Sequence, residues 1–364
     1  MLVTEINRLA VMYRNRKVGV LALTPDGSRC VFEYDKEWLV DGFSISPREL
    51  PLKSELFIAK REPFYGNFGV FEDSLPDGYG RYLLNRMLRR HGVDDFALTP
   101  LQRLSIVGCA GMGALSYLPE MLQGEPKSLP KMDELQQMAL DLFGEKADVD
   151  EELLYRSSGN SGGCRPKCLL QDEEGSWIVK FRHTYDPMDM GRMEWRYNDV
   201  ARRCGIDVPD FKLIDDCYFA TKRFDVVDGV RYHIITAAAM LGVSHQVPTL
   251  DYSVLLNLTG WLTQSPKEVE QMFRRMVFNV LAKNRDDHAK NFSFIYTEMG
   301  WHLAPAYDLT YSPAGYNGEH ATTVNGLGLP TEADMVAVGV GIRMSERRCC
   351  EIIEECKFHV EELY

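Results

Sequence analysis

Between Val269 and Leu281 the chain carries Val269, Met272, Phe273, Met276, Val277, Val280 and Leu281, each three residues or one residue after the last. Only an α-helix gathers those positions onto one face, and a stripe this wide requires a core to cover it. Directly after it comes NRDDHAKNFSF, residues 284–294, a polar cluster followed by a short β-prone run. A loop fixed to the end of a core helix is a rigid place to mount chemistry.

At 364 residues the chain exceeds the usual single-core size, so two or three lobes are expected. With 45% hydrophobic and 26% charged residues it can fill a deep core. Acidic side chains outnumber basic ones, 53 to 41, and the net charge of −12 argues against broad adhesion to nucleic acid or anionic membrane. A local basic patch remains compatible with it. The nine cysteines show no repeated C-x-x-C spacing, which predicts reduced thiols in a cytosolic protein rather than a zinc site. The N-terminus has neither an uninterrupted apolar signal region nor a 20-residue span, so a cytoplasmic protein without a membrane segment is expected.

The first third reads as β-rich, through KVGVLAL, SRCVFEYD and LFIAKREPF. DGYGRYLLNRMLRRHG predicts a helix closed by Gly92, and MDELQQMALDLFG another stopped by Gly144. From residue 150 the text changes. SSGNSGGCRPKCLL is small and Gly-rich, WIVKF is a strand with a lysine in it, RMEWRYNDVARRCG is a helix and CYFATKRFD a strand. Beyond about residue 226 the pattern is mostly helical.

Asp286 and Asn291 are five residues apart, the interval of the Asp and Asn in a kinase catalytic loop. In that loop the Asp receives the proton of the attacking hydroxyl and the Asn holds Mg2+. The string is common by itself, but its companions follow in order. Asp308 lies seventeen residues after Asn291, behind a candidate hairpin, where a second carboxylate for the metal is wanted. Lys180 lies seventeen residues after Gly163, as a strand lysine follows a glycine loop when a kinase grips ATP phosphates, and Glu194 is placed in the next helix to pair with it. Each residue also has a plainer reading. Lys180 could face water from an edge strand, Glu194 could sit on a solvated helix face, and the glycines could be a linker. Asp287 is the rival base, or a local cap. His288 reads as a structural hydrogen-bonding residue, and Lys290 is either solvated or a partner of the transferred phosphate.

With those residues in place, the chain resembles the HipA family of bacterial toxin Ser/Thr kinases. RKVGVLAL, EYDKEWL, SLPDGYGRYLL and VGCAGMGALSYLP resemble its first domain; GGCRPKCLL, WIVKF, MEWRYNDVARRCGIDVP, YFATKRFD, FNVLAKNRDDHAKNFSF and LAPAYDLTYSP follow. The resemblance implies an α+β, bilobed, protein-kinase-like fold with a β-rich N-terminal part and an all-helical C-terminal lobe. Residues 1–120 would be the family-specific domain, 121–225 the ATP-gripping lobe and 226–364 the helical lobe. Asp286 would be the catalytic base, Asn291 and Asp308 the Mg2+ ligands, and Lys180 a phosphate contact beside Ser161, Gly162 and Gly163 of the phosphate loop. KRFD resembles the hinge, so the backbone of Lys222 and Phe224 would meet adenine and Asp225 the ribose. The family's phosphate loop carries an autophosphorylated serine, for which Ser157, Ser158 and Ser161 are candidates. The resemblance further implies a small helix-turn-helix antitoxin through which DNA is met, and a protein substrate such as an aminoacyl-tRNA synthetase. Two rivals stand beside this reading: a small-molecule kinase on the same fold, and a non-catalytic antitoxin-binding regulator.

Overall fold

The computed structural model describes residues 5–122, 130–146, 149–158 and 162–364. The chain divides into two compact units, one of Met1–Met190 with Ala220–His233, the other of Gly191–Phe219 with Ile234–Tyr364.

The first unit opens with a five-stranded sheet. Its strands are β1 (Arg8–Tyr13), β2 (Arg16–Leu23), β3 (Cys30–Tyr34), β4 (Leu56–Ile58) and β5 (Leu115–Leu118), in the order β4-β3-β2-β1-β5. The pairs β1–β2, β2–β3, β3–β4 and β1–β5 are all antiparallel. Leu9, Val11, Leu21, Phe32 and Tyr117 are fully buried between its strands and the helices packed on them. The helix Pro100–Val107 lies against β1, β2 and β5. Its start is fixed by a reciprocal cap, in which Thr99 Oγ1 accepts from Gln102 N–H at 3.2 Å and Gln102 Oε1 accepts from Thr99 N–H at 3.0 Å. The two helices expected early in the chain are present as Gly78–Arg90 and Met132–Phe143.

A further helix, Glu151–Ser158, ends on Ser157 and Ser158, the first two residues of the Gly-rich segment. Leu154 and Tyr155 are buried, and the buried Glu151 carboxylate is held by Arg86 at 2.8 Å and Arg90 at 2.6 Å, both from the helix Gly78–Arg90. Next come β6 (Lys167–Asp172) and β7 (Gly175–Lys180), an antiparallel hairpin with Lys167 opposite Lys180. β8 (Phe211–Ile214) belongs to the second unit, and β9 (Tyr218–Lys222) passes from that unit into the first.

The second unit is helix-rich. Pro266–Leu281 is the helix required by the apolar stripe, with Met272, Phe273, Met276 and Val277 buried, Ser265 as its N-cap and Pro266 at its first position. It packs on Tyr252–Thr263, Glu332–Gly341 and Glu346–Val360. The C-terminal part is not all helical, contrary to the expectation. The strands Ser293–Thr297 and Gly300–Leu303 form an antiparallel hairpin, and His233–Thr236 adds to it. Phe294 and Leu303, which face each other across that hairpin, are buried, so this small sheet contributes its own core face.

Candidate active site

In the second unit the helix Pro266–Leu281 delivers the chain into the loop 284–291. The loop is pinned by backbone bonds from a distant segment: Arg285 N–H donates to Ser312 O at 3.1 Å, Ser312 N–H to Lys283 O at 3.2 Å, and Ala321 N–H to Arg285 O at 3.1 Å. Arg285 adds side-chain bonds to the carbonyls of Pro313 and Gly318.

The two adjacent carboxylates separate cleanly. Asp287 is buried, and its oxygens accept from Tyr252 Oη at 2.8 Å, His320 Nδ1 at 2.9 Å and the Thr322 N–H at 3.2 Å. A chain of side chains stands behind it: Asn284 Nδ2 donates to Asn279 Oδ1 at 2.9 Å, Asn279 Nδ2 to Tyr252 Oη at 2.8 Å, and Tyr252 onward to Asp287. Burial, reinforced by the Asp287 charge, pushes the Tyr252 hydroxyl well above its ordinary pKa, so it remains a donor. Asp286 keeps 63% of its side chain accessible, with the nearest His288 nitrogen 4.0 Å away. Of the two carboxylates, Asp286 is the exposed one.

Asn291 Nδ2 donates to the Asp286 carbonyl at 2.7 Å. That bond fixes the amide, so that Oδ1 remains an oxygen donor of the kind a hard cation takes. Lys290 is tied at its backbone, its carbonyl accepting from Tyr307 Oη at 2.6 Å. Asp308 has φ +54, a left-handed conformation that Asp tolerates better than most residues, and its carbonyl receives Asn284 Nδ2 at 3.5 Å. The chain before it is held by Arg275 Nη2 on Ala304 O at 2.6 Å and by Ala306 N–H on Asp207 O at 2.8 Å. Asp286, Lys290, Asn291 and Asp308 are thus carried on two segments bound to each other through Asn284. Glu194 is buried in the helix Met190–Arg203, where Asn198 Nδ2 reaches its carbonyl at 2.9 Å and Leu309 O at 3.4 Å.

In the first unit Lys180 ends β7 opposite Lys167, and the Lys167 ammonium donates to Gly162 O. The strand lysine and the glycine segment are therefore linked through one cross-strand neighbour. Ser161 lies outside the described residues. Ser157 and Ser158 are not in a loop: they end the helix Glu151–Ser158, both are buried, and their hydroxyls bond back to Leu153 O at 2.8 Å and Tyr155 O at 3.1 Å. Lys222 lies at the end of β9, its Nζ 5.9 Å from the Trp177 ring centroid, and Arg223 N–H donates to Ser176 O at 2.8 Å. Phe224 begins the turn that follows.

Asp225 differs from the ribose contact expected of it. It is fully buried, its carboxylate taken by Arg223 at 2.6 Å and by the Gly113 N–H at 2.7 Å. Burial alone would raise its pKa, but the Arg223 charge and these hydrogen bonds outweigh it and hold the carboxyl below the usual range. Its carboxylate is thus spent inside the protein rather than offered to a ligand.

Sequence reasoning did not anticipate Tyr252, His320 and Thr322 around Asp287, nor Arg275. One signal was present: Arg274, Arg275 and Asn279 are polar residues buried within the helix Pro266–Leu281, and such groups need internal partners.

The fold is α+β, β-rich in its N-terminal region and helix-rich in its C-terminal region, the HipA-like architecture. Residues 9–118 match the family described as HipA N-terminal domain, and residues 159–363 the HipA-like C-terminal domain. The chain belongs to the HipA family. Among curated relatives, "Putative kinase Y4dM" of Sinorhizobium fredii is 31% identical over 88% of this chain and 81% of its own length. "Putative kinase Y4mE" of the same organism is 27% identical over 76% and 71%. The HipA chain of a Shewanella oneidensis HipA, HipB and operator DNA complex superposes with a TM-score of 0.73 at 18% identity, covering 98% of this chain and 89% of that one. Family membership and relatives named as kinases together support a kinase-type activity.

Proposed function

We propose that the protein is an ATP- and Mg2+-dependent Ser/Thr protein kinase that serves as the toxin of a HipA/HipB-like module. The observation that carries this reading is the division between Asp286 and Asp287. Asp286 is exposed at a pinned loop and braced by Asn291, whereas Asp287 is consumed in holding that loop.

On this reading Asp286 accepts the proton of the substrate's serine or threonine hydroxyl as that oxygen attacks phosphorus. Asn291 Oδ1 and the Asp308 carboxylate are hard oxygen donors of the kind that holds Mg2+. Bound Mg2+ and ATP supply the transferable γ-phosphoryl group and the cationic charge that neutralises it. Ser161, Gly162 and Gly163 with Lys180 hold the phosphates, Glu194 orients that lysine, and Lys290 lies close enough in sequence to the metal ligand to meet transferred phosphate. The backbone of Lys222 and Phe224 takes the adenine. Residues 1–120, 121–225 and 226–364 then serve as accessory domain, nucleotide-gripping lobe and catalytic lobe.

The acceptor is a cellular protein, with aminoacyl-tRNA synthetases as the class whose loss would halt growth. A small helix-turn-helix antitoxin is the partner, and DNA is reached through it. The net charge of −12 and the presence of HipB and operator DNA with the Shewanella HipA support that arrangement. The site of action is the cytoplasm, where ATP and such substrates occur. No helix among the described residues is long and apolar enough to cross a membrane.

Phosphoproteomics after matched expression of wild type and Asp286→Ala tests the reading. New phosphoserine or phosphothreonine sites should arise with the wild type alone. Identical phosphoproteomes would refute it.

A further inference from the structure

The motif SLPDGYGR lies far from the loop 284–291 in sequence and has no part in the chemistry above. Asp77 is the N-cap of the helix Gly78–Arg90, yet its side chain makes no cap bond to that helix. An N-cap Asp ordinarily turns its carboxylate onto its own first turn. Here Asp77 Oδ1 instead accepts the Gly163 N–H at 2.7 Å, across 86 residues of sequence. The Tyr79 N–H, one of the helix's own unpaired donors, returns to Gly163 O at 3.0 Å. The Gly163 backbone therefore occupies both halves of a cap.

Gly78 is what lets the two backbones meet. It has φ +44, and a Cβ there would stand 2.4 Å from Gly163 O. Gly163 is itself at φ +95. The same helix grips the chain on the other side of the glycine segment as well, through Arg86 and Arg90 on Glu151. One helix of the N-terminal region thus brackets the segment, holding it at Glu151 before and at Gly163 after.

We propose that this helix is a clasp that sets the phosphate loop, and that Asp77 is a positioning residue acting through the Gly163 amide. The proposal rests on the reading of Gly162 and Gly163 as part of the phosphate loop, in which the Gly163 N–H, held by Asp77, sets the path of its neighbours. It assigns the family-specific N-terminal domain a task in nucleotide affinity.

The test uses the full chain with Asp77→Ala and Asp77→Asn, reading KM for ATP, kcat, and hydrogen exchange of the peptide containing Gly163. Asp77→Ala should raise KM roughly tenfold with kcat within about twofold, the pattern of lost uniform binding, and should speed exchange at Gly163. Asp77→Asn keeps an acceptor oxygen and should recover most of both. If Asp77→Ala does not fold, Gly78→Ala carries the same expectation. A folded variant with unchanged KM and unchanged exchange, or an Asn variant as impaired as the Ala variant, overturns the clasp. Wild type that turns over no ATP would instead defeat the kinase reading, and the exchange measurement would still decide the clasp.

Discussion

Asp286 and Asp287 are neighbours in sequence and opposites in environment: 63% of the Asp286 side chain is accessible, while the Asp287 side chain is fully enclosed against His320. One is exposed to solvent and the other is part of the scaffold. Their substitutions should therefore fail in different ways.

Asp286→Ala should leave stability within roughly 0.5 kcal/mol of wild type, as expected for an exposed side chain outside the core. Asp287→Ala strands the Tyr252 hydroxyl, His320 and the Thr322 N–H in a buried site, and should cost about 3 kcal/mol or more. Urea denaturation of the two variants distinguishes them; equal losses would mean that the two carboxylates are not divided in this way.

Asn291→Ala removes both the bond to the Asp286 carbonyl and the proposed oxygen ligand. The Mg2+ concentration giving half-maximal activity should rise about tenfold or more. A Mg2+ titration at saturating ATP reads this, and an unchanged midpoint would remove Asn291 from the metal site.

Burial of Glu49, partly offset by the Gly69 N–H it accepts at 2.8 Å, pushes its carboxyl from an ordinary 4.5 up to about 7. Below pH 4.5 both folded and unfolded states hold this proton; between 4.5 and 7 only the folded state does, so stability falls as pH rises through that window and levels above it. His233 runs the other way. Burial lowers its pKa from 6.5 to about 4, so its contribution is present above 6.5 and is lost as pH falls toward 4. The two slopes oppose each other over most of one range. Glu49→Gln removes the first alone, and its stability relative to wild type should climb between pH 4.5 and 7 by up to ~1.4 kcal/mol per pH unit. Parallel urea midpoints across that range would show that Glu49 titrates normally.

In the helical unit, a Cβ on Gly339 would stand 2.4 Å from Cys349 Sγ and 2.7 Å from a Phe273 ring carbon. Gly339→Ala should overpack that helix contact and destabilise by about 1–3 kcal/mol, lowering the melting temperature without changing KM for ATP. A neutral effect would mean that the helices there can part at no cost.

Local pattern was legible where local physics decides. The stripe from Val269 to Leu281 specified its helix, and the short β-prone runs FSFIY and WHLAPAY their hairpin. It misled where a segment's neighbours are remote. SSGNSGG looked like one loop, yet Ser157 and Ser158 finish a helix because Glu151, Leu154 and Tyr155 find partners that the string does not display. The Asp286–Asn291 interval pointed to the loop and favoured Asp286 over Asp287, but it could not show what surrounds Asp287. Its partners Tyr252, His320 and Thr322 each lie more than thirty residues from Asp287. Asp225 was misplaced for a similar reason, since its partner Gly113 comes from a different part of the chain.

On the proposed reading, Asp286 takes the proton of a protein hydroxyl during phosphoryl transfer from ATP. The most direct measurement is the rate at which purified wild type and Asp286→Ala move the γ-phosphoryl group of Mg-ATP onto serine or threonine, with matched melting curves. A loss of about a hundredfold or more is expected, at unchanged stability. A folded Asp286→Ala protein that phosphorylates at the wild-type rate would contradict it.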